Sequence, residues 1–195
     1  MNYSDFLKTL ADLTLRDKLW NLFLQAESEA KEFSSPNNRW IEIRCVGEAK
    51  PGESGVWIPK PTDCPAEYAE IRVKPDDNDL GIIFHELFHS AFHESPLWKS
   101  DNRWNWGDPF CDAFRYFMED RLLGRAPSEF LEQVMDYLSK TDEEITRVNE
   151  FAYKGRASRI LLKCSGDYGQ FKSLWEYLNQ KSRLPLDEYF NLTPG

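Results

Sequence analysis

Residues 80–93 read Leu-Gly-Ile-Ile-Phe-His-Glu-Leu-Phe-His-Ser-Ala-Phe-His, and no other stretch restricts the fold as strongly. Ile82, Ile83, Phe84, Leu87, Phe88, Ala91 and Phe92 put apolar side chains around most of a helical circumference, the pattern of a helix covered by the rest of the chain. Asp79 stands before the run as an N-cap and Pro96 lies beyond its end, so a helix over 80–93 is predicted. This apolar helix carries Glu86 and all three histidines of the chain, His85, His89 and His93.

The flanking sequence supplies the cover. Residues 4–33 repeat apolar positions at helical spacing (Phe6, Leu7, Leu10, then Leu15, Leu19, Leu22, Phe23), with a possible break at 11–14. Ser34-Ser35-Pro36-Asn37-Asn38 stops the helix. Residues 39–46 alternate as a strand, 47–55 form a loop, 56–58 a short second strand, and 68–73 a third. After the motif helix, 97–107 is rich in Trp and Asn and reads as a loop. A helix over 109–123 follows, with Pro109 in its first turn and Gly124 at its end. Helices over 128–140, 142–153, 157–164 and 168–180 complete the chain. The order predicts an α+β fold, a small mixed sheet packed on the motif helix with a mainly helical C-terminal half. At 195 residues the chain fits a single domain.

His85-Glu86-Leu87-Phe88-His89 is an H-E-x-x-H pattern. Side chains four apart share one helix face, so the two imidazoles can grip one zinc ion. Glu86 sits about 100° round the helix, too far to ligate the same ion comfortably. It can reach a water bound to that ion and take its proton. The competing use of such histidines is hydrogen bonding inside a core. His93 lies two turns from His85, about 12 Å along the axis, which is too far for one ion to touch all three rings. It suits a pocket wall, a substrate contact, or a cation at the helix C-terminus.

An open zinc site needs a third protein ligand. Asp108 is the best candidate, nineteen positions after His89, with Asp112 one turn beyond to orient a ligating imidazole from behind. Asp108 could instead cap its own helix, Asp112 could pair with Arg115 or Arg121, and Glu94, Asp101 and Glu119 are further possible ligands. Trp98, Trp104 and Trp106 either anchor their segment in the core or wall a substrate cleft. An amide transition state needs a donor near the metal, for which His93, Arg115, Tyr116, Tyr153 and Tyr168 are all available.

With 33 acidic against 24 basic residues the net charge is -9, which disfavours nucleic acid and anionic membrane surfaces as partners. No signal peptide or long apolar span is visible, and Cys45, Cys64, Cys111 and Cys164 are scattered without a C-x-x-C pair. These features fit reduced thiols and a cytoplasmic setting. Oligomeric state is not legible.

H-E-x-x-H followed by an acidic residue opening the next helix resembles the gluzincin branch of zinc metallopeptidases. The eighteen residues between His89 and Asp108 are similar to the spacing in zinc aminopeptidases of that branch. The Asp108/Asp112 pair resembles the thermolysin arrangement. The run Asp108-x-x-Cys111-Asp112-x-Phe114 after H-E-L-x-H-x-x-x-H is similar to the small ImmA/IrrE-type peptidases and minimal gluzincins. The resemblance spans roughly 39–123 as a core, leaving 124–195 as a helical lobe. It implies a zincin-like fold, Glu86 as general base, and His85, His89 and Asp108 on zinc. It further implies a peptide or protein substrate laid along an edge strand, 56–58 or 68–73. Gluzincins carry Glu as third ligand where this chain offers Asp, and the G-T-x-x-D motif of the aspzincin branch is absent. The alternative function is a zinc-stabilised regulatory or protein-binding module without turnover.

Overall fold

The computed structural model describes residues 13–34, 42–48, 55–59, 68–73, 81–97, 103–124, 136, 149–181 and 183–191. The chain divides into two compact units, Met1–Glu94 and Ser95–Gly195. Helix and a small sheet in the first and helix in the second give the expected α+β class.

In the first unit, helix α1 spans Leu13–Lys31. Leu22, Phe23, Ala26, Ala30 and Phe33 form its buried row, at the helical spacing that brings them to one side. Ala26 and Ala30 leave room for a close neighbour. Strand β1 is Glu42–Glu48, β2 Gly55–Pro59 and β3 Tyr68–Val73. The sheet order is β1-β3-β2, with β1 parallel and β2 antiparallel to β3, so the sheet is mixed. β3 is central and paired on both sides, while β2 is an edge. β1 extends beyond the expected 46 because Gly47 and Glu48 pair with Arg72 and Val73, and a bulge between Ile43 and Cys45 absorbs Arg44.

Helix α2, Ile82–Glu94, is the motif helix. It packs on α1, β2 and β3. Phe84, Leu87, Phe88, Ala91 and Phe92 are buried, and Phe33 meets Phe88 edge-on at 5.1 Å. Burying each large side chain contributes about 1.5–3 kcal/mol. The apolar circumference read from the sequence therefore has its cover.

In the second unit, α3 is Arg103–Leu123, α4 Asn149–Lys163, α5 Tyr168–Gln180 and α6 Leu186–Tyr189. α3 begins six residues before the expected 109, so Pro109 is interior and Asp108 does not start the helix. An interior proline costs about 3 kcal/mol by removing a helical hydrogen bond. Packing around it offsets that loss. Trp106 is fully buried, stacks on Phe190 at 4.7 Å, and donates from Nε1 to Asp187 Oδ1 at 2.9 Å. Phe110 meets Trp175 at 5.5 Å and Phe117 meets Phe171 at 5.1 Å. Gly124 closes α3 with φ 66, as its position predicted. The break expected between 153 and 157 is absent: α4 runs through Gly155, which is buried. Asp167 caps α5, accepting from Gln170 N at 2.7 Å. The helix expected over 128–140 is described only at Asp136, and 4–12, 39–41, 98–102 and 142–148 lie outside the described residues. No helix among the described residues is long and apolar enough to cross a membrane.

Candidate metal centre

α2 sets the geometry. His85 and His89 are half-buried on one face, with ring centroids 4.9 Å apart and planes at 72°. Their Nε2 atoms lie 3.2 Å apart. A neutral pair can share one proton at that distance, and both nitrogens can equally reach a single cation between them.

Glu86 is the next residue round the helix and is 4% exposed. The strand β2 lies over it. A Cβ at Gly55 would stand 2.6 Å from Glu86 Oε1 and 2.7 Å from Ile82 Cγ1, so only glycine leaves the carboxylate its place. Two residues on, the same side of β2 carries Trp57, since alternate strand residues share a face. Trp57 donates from Nε1 to the buried Ser90 Oγ at 2.9 Å. Its ring lies nearly parallel to that of His89, 22° between planes at 5.9 Å. It also meets His93 at 4.9 Å. His93 thus stands against the indole.

Within the first unit, His85 and His89 together offer two ligand nitrogens to one metal ion. Asp108 and Asp112 are half-buried on α3, in the second unit, where Cys111 is buried.

The other expected contacts stand as follows. Tyr116 is half-buried on α3. Arg115 pairs with the buried Glu119, Nε to Oε1 at 2.6 Å. Tyr168 packs on Phe117 and lies under Arg121 and Lys172, at 4.6 and 4.7 Å. Tyr153's side chain, Trp98, the side chains of Trp104 and Glu94, and Asp101 lie outside the described residues. Trp106 anchors its segment in a core. Cys164 is buried, and burial with the nearby charge of Asp167 pushes its thiol up to about 12, so it is inert at neutral pH.

The substrate strand inferred from the resemblance was either 56–58 or 68–73. The latter is paired on both sides; among the described residues β2 is the edge strand that packs on α2. Comparison with protein-family models, curated proteins and solved structures gives no match.

Proposed function

We propose that this chain is a zinc-dependent peptidase, with Glu86 as general base and His85 and His89 as two of the metal ligands. One observation carries this. Two nitrogens on one tetrahedral zinc, each at about 2.0–2.1 Å, stand about 3.3 Å apart. His85 Nε2 and His89 Nε2 stand 3.2 Å apart. The pair is therefore already set near the separation that zinc requires. Asp108 is the third ligand that the resemblance favours.

Zinc held there would polarise an amide carbonyl and make a bound water more acidic. Glu86, buried and off the ligand face, takes the proton of the attacking water and passes it to the leaving amine. An extended peptide pairing along the edge of β2 would run beside Glu86 and His89. A zincin-like arrangement accounts for all of these features together.

The test is zinc content followed by cleavage of a mixed peptide library, with and without chelator. The wild-type protein is expected to carry one zinc and to lose turnover with chelator. Glu86→Gln is expected to keep the zinc and abolish turnover. Full activity in Glu86→Gln would refute the mechanism. Stable zinc with no cleavage of any peptide would point instead to a protein-binding module.

A further inference from the structure

We infer that Trp57 is a positioning residue, an indole on β2 that fixes the ring of His89 for metal binding. The inference rests on the metal reading above and extends it to a residue outside the H-E-x-x-H pattern. An imidazole on a helix has a soft second torsion, so its two nitrogens can exchange places unless something confines the ring. His89 is confined on two sides. The edge contact with His85 comes from within α2. The near-parallel indole comes from β2.

Trp57 is itself fixed in three ways. Its strand position is opposite Ile71, which is buried in the sheet's face. Its Nε1–H is bonded to Ser90, the residue that follows His89 on the helix. His93, one turn after His89, meets the indole at 4.9 Å. The indole is therefore seated against two imidazoles one helical turn apart. This gives His93 a use that does not involve touching the metal. Groups that orient metal-bound histidines change metal affinity about 10–100-fold when they are removed.

The probe is Co2+ alone, titrated into the full chain, with Zn2+ affinity measured by competition against a chromophoric chelator. Trp57→Phe keeps a ring beside His89 and loses the bond to Ser90. Ser90→Ala removes only the acceptor and is the variant least able to disturb folding. Trp57→Ala removes the ring. Affinity is expected to fall about 10-fold in Trp57→Phe and about 100-fold in Trp57→Ala, with Ser90→Ala close to Trp57→Phe. The Co2+ visible bands are expected to shift in all three, because they report ligand geometry. Urea unfolding of the metal-free proteins separates positioning from bulk stability. A merely structural tryptophan would lower stability and leave affinity and bands unchanged in Trp57→Phe and Ser90→Ala, and that result overturns the inference. Wild-type protein that binds neither Co2+ nor Zn2+ overturns the metal reading and this inference with it. Wild-type binding with unaltered variants overturns the role of Trp57 alone.

Discussion

Gly55→Ala is the sharpest perturbation of the proposed mechanism, because it acts on the base without touching any ligand. Gly55 does not have a positive φ, so alanine suits the backbone and the effect is steric. The new methyl would stand 2.6 Å from Glu86 Oε1, where ordinary contact begins at 3.4 Å, so the carboxylate must retreat by about 0.8 Å (3.4 − 2.6). Ile82 Cγ1 at 2.7 Å and Glu86 Cγ at 3.0 Å block the easy escapes. Displacing a catalytic group by about 1 Å costs about 100-fold in rate, or about 2.7 kcal/mol of barrier. Overpacking would lower stability by about 1–3 kcal/mol. The assay is kcat/KM on a peptide cleaved by the wild-type protein, beside zinc content and a denaturant curve. The expected result is a 100-fold fall in kcat/KM with zinc still bound. Turnover within threefold of wild type would refute the placement of Glu86 against β2. Parallel loss of zinc would show that the strand acts on the ligands rather than the base.

Five further outcomes are expected. His85→Ala and His89→Ala should each abolish stoichiometric zinc binding, read by metal analysis after gel filtration. Asp108→Asn should weaken zinc more than the roughly 10–100-fold typical of an orienting group, read by chelator competition; a smaller loss would remove Asp108 from the ligands. Cys164 should resist iodoacetamide at pH 8 in the native protein, read by peptide mass, because its thiol is held up at about 12. With the folded value above the ordinary 9.0, its contribution to stability is full below pH 9 and is lost as pH rises from about 9 to about 12, so the urea midpoint should fall across that range. Trp106→Phe should cost about 2 kcal/mol in urea unfolding, because it removes the hydrogen bond to the carboxylate of Asp187.

The motif helix and the central strand were legible because their signals are local. An apolar run between Asp79 and Pro96 admits little but a covered helix, and 68–73 has the alternation and the flanking prolines of a strand. The start of α3 was not legible, because its deciding term is not local. Trp, Asn and Gly before a proline read as a loop, whereas the burial of Trp106 against Phe190 and Asp187 holds the segment as helix. Gly155 misled for the same reason. A glycine costs a helix about 1 kcal/mol, yet here it lies buried in α4, which packs on α3. Gly47 joined β1 through its pairing with Arg72, a partner 25 residues away that no window of sequence reveals. At the candidate site, spacing alone was enough to single out His85, Glu86 and His89, and the structure places the two imidazoles on one face of α2. Gly55 and Trp57 could not, because their meaning depends on which strand lies over α2.

That dependence bears on why β2 has its particular residues. Along a strand, same-face residues recur about every 6.7 Å, and along a helix, residues four apart recur every 6 Å. β2 can therefore address successive turns of α2 in step, and it does: Gly55 over Ile82 and Glu86, Trp57 over His89, Ser90 and His93. A strand that served only as cover would favour apolar bulk at both positions, since buried area is what stabilises such a contact. Instead the smallest residue lies over the carboxylate and the largest over the imidazoles. On the proposed function, the alternation follows what each turn of the helix needs: space for a base at one, and a rigid wall for a ligand at the next. Exchanging the pair, with Gly55→Trp and Trp57→Gly in one chain, would keep composition and strand length while defeating both functions. If that chain still bound zinc with wild-type affinity, the match between β2 and the polar row of α2 would be coincidence.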